Sequence, residues 1–169
     1  MDYTLILLRL LHIVAAFAWI GVGASISVFI LPSAMIMGEN GMRFLRTLLT
    51  HGVYARIFPI SSGLTVLAGI LLYVVGDARL HFSDNGNMVL GLGALTGIVA
   101  GIHGGAFTGR AMRALGATLV DKIPDTDRAI GADDLVILRE QAARAVSHGR
   151  VSTVLSVIAL LGMASARYL

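Results

Sequence analysis

The stretch MVLGLGALTGIVAGIHGGAFTG, residues 88–109, indicates what kind of protein this chain forms. It carries no charged side chain, and glycine recurs at every fourth position from Gly93 to Gly109. An uncharged run of this length can cross a bilayer as a helix, and small residues at this spacing let another helix approach its backbone closely. A single histidine, His103, lies inside the run. Because an ionisable group in hydrocarbon is costly, His103 is a candidate functional residue.

Four such uncharged windows occur along the chain. Their lengths are 29, 20, 25 and 16 residues, and they lie at 10–38, 57–76, 85–109 and 151–166. A spanning helix needs roughly 20 residues, and the arginines that flank the shortest window can extend their side chains to the interfaces. We therefore expect one all-α integral membrane domain covering residues 1–169. Its predicted spans are about 5–31, 52–75, 88–109 and 149–168.

The connections between the spans are predicted to contain further helix. The first span is expected to end at Pro32, which cannot continue the hydrogen-bond ladder, and an amphipathic helix at 42–49 follows along the interface. The third span is expected to continue past Arg110 as an amphipathic helix, to break at 121–132, and to resume with Asp133 as N-cap. The sequence thus predicts a four-helix bundle with a cytoplasmic helical hairpin stalk between helices three and four.

Lysine and arginine are distributed unequally between the two sides of this bundle. The first and third connections hold 10 of these residues, whereas the opposite side holds 3. Because positive residues favour the cytoplasmic side, both termini are expected outside, in the cytoplasmic (inner) membrane of a bacterium. Acidic residues accompany the basic ones in the third connection, which favours a solvated face over a site for nucleic acid.

Several classes of chemistry are excluded by the residue types. The chain has no cysteine, which rules out disulfides, thiolate metal sites and thiol catalysis. No Ser-His-Asp set, carboxylate pair or phosphate-binding loop lies at membrane depth in the sequence. Whether the chain is an enzyme therefore stays open at this point.

The hairpin of helices three and four sets the depth of two histidines. If its turn centres near residues 126–127, His103 lies level with Arg150 and within a turn of His148. Two histidines at equal depth on neighbouring helices are what bis-imidazole ligation of haem b requires, and both are also candidate ligands for a copper ion. Arg110, seven residues beyond His103, is expected to meet a haem propionate. The alternative is structural: His103 hydrogen-bonds a serine across the bundle, and His148 is merely hydrated.

His12 is a second candidate metal ligand, about two turns into helix one from its outer end. Its depth differs from that of His103 by about 12 Å, so the two are not expected to share one iron. Copper at His12 needs a second ligand, for which the candidates are His81, Met163 and Tyr168. The alternative is a polar pair with Arg9 near the interface, capped by Trp19.

The glycine series from Gly93 to Gly109 also predicts a partner in the membrane. A series this long is more than one small bundle needs, which favours packing against other membrane subunits or a second copy of the chain. In that case the histidines are structural, and the protein is a non-catalytic accessory subunit of a larger complex.

Two segments resemble a known group of membrane proteins. LRLLHIVAAFAWIGVGASISVFILPSA, residues 8–34, has an early histidine in a leucine-rich run and a Trp-Ile-Gly seven residues later. With the closing segment LSVIALLGMASARYL, residues 155–169, it resembles the CopD-like and HemJ-like small integral membrane proteins. The resemblance covers mainly residues 5–32 and 135–169. It implies a four-helix membrane bundle associated with copper handling or haem, with His12 as the matching histidine.

Overall fold

The protein is almost entirely helical in the part that the computed structural model describes, which is residues 3–51, 53–76, 84–123 and 129–169. No strand occurs within these ranges. The helices are α1 (Tyr3–Ala24), α2 (Leu31–Ile36), α3 (Glu39–His51), α4 (Tyr54–Val75), α5 (Asn85–His103), α6 (Gly109–Lys122) and α7 (Ala132–Ser165). A π-helical turn, Ser25–Ile30, joins α1 to α2, and another, Gly104–Thr108, joins α5 to α6.

Four helical stretches among the described residues are long and apolar enough to cross a membrane. They are Tyr3–Ile36, Arg56–Val75, Asn85–Lys122 and Ala132–Tyr168. The predictions of an all-α fold and of four candidate spans are confirmed. Most of the large apolar side chains of these helices face outward, as Phe17 does with 81% of its surface exposed. An outward apolar surface of this extent is what a lipid bilayer covers.

The prediction that the first helix ends at Pro32 is wrong, because the chain continues as helix to Ile36. The π-helical turn before the proline explains the difference. It pairs the N–H of Leu31 with the carbonyl of Ile26, five residues earlier. This widened turn places Pro32 in the first turn of α2, where the missing N–H of a proline is tolerated.

The chain reverses direction at Gly38, whose φ of 63° is a left-handed conformation that glycine adopts without strain. Helix α3 therefore starts at Glu39 and is longer than the predicted 42–49. Asp133 was predicted as the N-cap of α7, but Gly131 occupies that position and Asp133 lies in the first turn. An acidic residue there still interacts favourably with the helix dipole.

Helices α2, α3, α6 and the first half of α7 share a closed apolar core at one end of the molecule, which we call the α3 end. The large side chains that are fully buried there are Leu31, Met42, Leu45, Leu115, Leu119, Ile123 and Leu138. Glu39 adds a polar tie, because its carboxylate pairs with Arg43 at 2.9 Å and accepts from the backbone N–H of Ile130 at 3.3 Å. The α6–α7 hairpin thus packs against α2 and α3 instead of projecting as a free stalk.

At the opposite end of the molecule, α5 and α7 approach each other at glycines. A Cβ atom at Gly93 would lie 2.9 Å from the backbone nitrogen of Met163, and one at Gly162 would lie 3.2 Å from the Cα of Gly93. Gly97 also faces Met163, whereas Gly101 faces Val66 and Trp19. The first three members of the glycine series are therefore used inside the chain, and the antiparallel register of α5 and α7 is close to the predicted one.

Substituting Gly93 with alanine is expected to destabilise the protein. The added methyl group meets backbone that cannot move aside, and overpacking of this kind costs about 1–3 kcal/mol. Gly91→Ala is the matched control on the same helix, since a Cβ there meets nothing within 4 Å. Thermal unfolding in detergent, followed through the single tryptophan, should show a lower midpoint for Gly93→Ala only. Equal midpoints for the two variants would contradict the close approach.

Candidate histidine site

His103, Phe107 and His148 form a cluster of three rings where α5 and its π-helical turn meet α7. The ring centroids of the two histidines are 5.8 Å apart. Phe107 stacks on His103 at 5.0 Å and lies 5.8 Å from His148. The antiparallel packing of α5 and α7 therefore brings together the two histidines that sequence reasoning paired.

The imidazole of His103 is held from its Nδ1 side. Nδ1 lies 2.9 Å from the hydroxyl of Ser152, which is in turn 2.9 Å from the hydroxyl of Thr108. This is the serine hydrogen bond that the sequence offered as the structural alternative. It also agrees with a ligand role, because metal-binding histidines usually hydrogen-bond through the nitrogen that does not bind the metal. Nε2, on the opposite edge of the ring, is the nitrogen left for a ligand.

The ring cluster lies on the outer side of the α5–α7 pair rather than in the bundle centre. Phe107 has 52% of its surface exposed, and both histidines are partly exposed. A Cβ at Gly105, in the same π-helical turn as Phe107, would meet nothing within 4 Å. The centre of the bundle is filled instead by Trp19, which packs against Gly101 and Gly104.

The cluster contains enough imidazoles to ligate a haem iron. The side-chain conformation of Phe107, however, leaves no room for the porphyrin between them. A haem iron needs one or two protein ligands, and two imidazoles are adjacent here. The three centroids form a nearly equilateral triangle, so Phe107 lies beside the midpoint of the two imidazoles. The porphyrin of a bis-histidine haem extends across that position. Haem between these two rings therefore requires the half-exposed Phe107 side chain to rotate away.

Arg110 lies in the first turn of α6, and its side chain is exposed. Its predicted position on the same face as His103 assumed a regular α-helix between the two residues. The π-helical turn at Gly104–Thr108 adds a residue to that turn, which rotates Arg110 around the helix axis relative to His103. Its role as the partner of a haem propionate stays a prediction.

His12 occupies a different environment, between α1 and α4. Its Nδ1 lies 2.8 Å from the backbone carbonyl of Thr65, so Nδ1 is the donor and Nε2 is left unprotonated when the ring is neutral. Gly69 provides the space for the ring, because a Cβ there would lie 2.9 Å from Cε1 of His12. This bond, and not a pair with the exposed Arg9, holds the side chain.

Two of the predicted companions of His12, Met163 and Tyr168, make other contacts. Met163 packs on Gly93 and Gly97, and Tyr168 is exposed with Arg167 over its ring at 4.9 Å. His81 lies outside the described residues. Within the described ranges, no group of three or more His, Asp or Glu side chains is arranged to hold a metal ion.

His12 and His103 lie at different depths, as predicted. Trp19 is seven residues, or about 10 Å of helix, beyond His12. It packs at the level of Gly101 and Gly104, next to His103. The two histidines therefore belong to separate sites.

Sequence reasoning missed a group of hydroxyls at the centre of the bundle. Ser27, Thr108, Ser152, Thr153 and Ser156 line one small cavity together with Trp19. The serine and threonine residues within the uncharged windows were the only sequence signal for this cavity. That they lie together depends on two π-helical turns, which the periodicity of the sequence does not reveal.

Comparison with known proteins adds no identification to this geometry. No protein-family model matches the chain, and no curated protein or solved structure is significantly similar to it.

Substituting Gly69 with valine is expected to displace His12. The larger side chain occupies the space of the imidazole, so the hydrogen bond to Thr65, worth about 0.5–1.5 kcal/mol, is lost. Gly63→Val is the matched control on α4, because a Cβ at Gly63 meets nothing within 4 Å. Nitrogen NMR of the histidines should show loss of the hydrogen-bonded Nδ1–H of His12 in Gly69→Val alone. An unchanged signal would mean that the ring does not pack on Gly69.

Proposed function

We propose that this chain is an integral protein of the bacterial cytoplasmic membrane, with both termini outside and the α3 end in the cytoplasm. The support is the distribution of charge. Most of the described lysine and arginine residues lie on α3, on α6 and on the first half of α7. Positive residues are retained on the cytoplasmic side. On this proposal the packed α6–α7 hairpin is the cytoplasmic extension of helices three and four.

The absence of native cysteine makes this orientation directly testable. A single cysteine replacing Arg139 is expected to react with a membrane-impermeant maleimide only after the inner membrane is opened. A single cysteine replacing Leu169 should react in cells with only the outer membrane permeabilised. The reverse pattern would overturn the orientation, and labelling of both residues from outside would overturn the four-span topology.

We propose further that the chain binds haem b through His103 and His148 and acts in electron transfer or haem handling. The observation that carries the proposal is the pair of imidazoles 5.8 Å apart, with the Nδ1 of His103 hydrogen-bonded to Ser152. A zinc site uses three or four protein ligands, whereas the porphyrin supplies four of the ligands of a haem iron. Two histidines are therefore enough for haem.

Haem bound here supplies one-electron chemistry, and the residues of the chain hold and orient it. Ser152 fixes the ring of His103 and leaves its Nε2 to bind. Phe107 would have to rotate outward to admit the group, because its ring lies beside both imidazoles. Arg110, exposed at the start of α6, is the candidate partner for a propionate.

Protein purified from haem-replete cells is expected to show a Soret band that His103→Ala abolishes. Ser152→Ala should weaken haem retention, since loss of an outer hydrogen bond typically costs about 10–100-fold in ligand affinity. Phe107→Ala should retain haem or take up more of it, because the side chain that blocks the porphyrin is removed. His12→Ala is the control and should keep the band. A colourless wild-type protein would refute haem binding.

Copper handling is the second candidate function, and His12 favours it. Its Nδ1–H is bonded to a backbone carbonyl, the arrangement typical of histidines that bind metal through Nε2. The resemblance of residues 8–34 to CopD-like proteins points the same way. Elemental analysis of the same preparations distinguishes the two functions, because copper lost in His12→Ala supports this one.

An accessory role in a larger complex or homo-oligomer is the third candidate. Gly93, Gly97 and Gly101 are already packed within the chain, whereas Gly105 faces open space. On this proposal a partner helix contacts the π-helical turn at Gly105.

A further inference from the structure

A groove separates α4 from α5 on the outer surface of the bundle. It exists because α4 packs mainly against α1, whereas α5 packs mainly against α7. Its volume is about 260 Å³, just below the range of about 300–1,000 Å³ that is typical of sites for whole small molecules. The residues that line it are Ser62, Gly63, Val66, Ile98, Gly101 and Ile102. A groove of this size fits part of a larger apolar molecule.

The walls of the groove offer no unused hydrogen-bond donor. Ser62 has the one polar side chain in its lining, and its hydroxyl already donates to the carbonyl of Pro59 at 3.1 Å. A Cβ at Gly63 would meet nothing within 4 Å, so this glycine leaves space at the edge of the groove. Trp19 closes the inner side, because a Cβ at Gly101 would lie 3.8 Å from its ring. The occupant that fits such a surface is a hydrocarbon chain.

The groove leads toward arginines at the α3 end. Gly63 of α4 and Ile102 of α5 line it together, and the two helices run in opposite directions. Arg56 lies seven residues before Gly63, which is about 10 Å of helix toward the α3 end. Gly109 lies the same number of residues, and about the same distance, beyond Ile102. Arg56 and Gly109 are therefore at similar depth.

The guanidinium of Arg113 reaches this depth from one turn further along α6. A Cβ at Gly109 would lie 3.3 Å from Nη1 of Arg113, so the side chain folds back over the glycine toward the apolar part of the span. Arginines near the ends of spans ordinarily extend away from the hydrocarbon instead. An anion located at the level of Gly109 is the partner that makes this direction favourable.

The chain supplies no such anion beside the groove. Residues 54–76 and 85–120 contain neither aspartate nor glutamate. The side chains of Arg56, Arg110 and Arg113 are exposed, and within the described ranges the ion pairs join other residues. The groove therefore has an apolar length and a positive end, and the positive end is open to an anion from outside the chain.

We propose that this groove binds one anionic phospholipid, with an acyl chain between α4 and α5 and the phosphodiester at Arg56 and Arg113. A guanidinium matches the geometry of phosphate oxygens, and basic pockets between spans bind anionic headgroups. A transmembrane partner helix fits less well, because it would leave the two guanidinium groups without a counter-charge. On the orientation proposed above, the lipid belongs to the cytoplasmic leaflet.

Native mass spectrometry of the delipidated full chain, titrated with phosphatidylglycerol or phosphatidylcholine of the same acyl chains, tests the headgroup. An arginine near an anionic lipid surface contributes about fivefold in affinity. The first phosphatidylglycerol is therefore expected to bind about 30-fold more tightly than phosphatidylcholine. The double variant Arg56→Gln/Arg113→Gln should lose this preference. Arg9→Gln/Arg167→Gln, which removes two exposed arginines from the other end, is the matched control and should keep it.

Gly63→Leu tests the acyl chain, because its side chain enters the groove. It should weaken the first binding step for both lipids, whereas the control Gly91→Leu, where a Cβ also meets nothing within 4 Å, should not.

Equal affinity of the wild-type protein for the two lipids would overturn the proposal, as would a preference that survives the double arginine substitution. Binding unchanged in Gly63→Leu would remove the acyl chain from the groove, and a dimer that excludes lipid would assign the groove to a second copy. These variants leave His103, His148 and Arg110 intact. The Soret band therefore reports on the proposed haem independently of the lipid.

Discussion

A proline with no N–H, placed inside a long apolar helix, is the constraint on which the centre of this bundle depends. Backbone groups at membrane depth have to be paired within the protein, because lipid offers no partners. The chain meets this requirement at Pro32 by shifting to a π-helical register, in which Leu31 bonds to Ile26. In the same register the next pair would join Pro32 to the carbonyl of Ser27, a bond that proline cannot make. The hydroxyl and the carbonyl of Ser27 therefore both belong to the π-helical turn, and this residue lines the small cavity.

The second determinant is the glycine contact between α5 and α7. Because Gly93 and Gly162 remove side chains from the interface, the two backbones approach closely enough to fix their register. That register also determines which residues of α7 lie opposite His103, ten positions after Gly93. There His103 contacts Ser152 and His148. The helices do not separate at this level. Both imidazoles consequently lie on the outer side of the pair, and a large planar ligand has access from the lipid side rather than from the bundle centre.

Much of this arrangement follows from features that are local in the sequence. The uncharged windows predict the four helices. The length of the hairpin predicts that His103 and His148 lie close together, because the rise per residue is uniform in regular helices. The two π-helical turns, where the helices depart from regular α-helical geometry, were not predictable from the sequence. The effect of Pro32 on helix one depends on whether a widened turn can accommodate the proline, and Gly104–Thr108 has no proline to indicate its turn. Both turns change the direction of later side chains, which is why the hydroxyls around the cavity were missed. The position of the Phe107 ring beside the two imidazoles depends on rotamers, which periodicity does not specify.

Ser152 connects two regions that would otherwise be independent. Its hydroxyl bonds outward to His103 and inward to Thr108, and it also lines the cavity. His12 has no comparable link, because its Nδ1 bonds to the carbonyl of Thr65, and a backbone carbonyl accepts a proton in a hydrogen bond but does not pass it on. The two histidines therefore differ in the hydrogen-bond partner of Nδ1. The ring of His12 is held in one tautomer by a fixed acceptor, whereas that of His103 faces a hydroxyl that can donate or accept. Either tautomer of His103 is therefore matched by the orientation of two hydroxyls, those of Ser152 and Thr108.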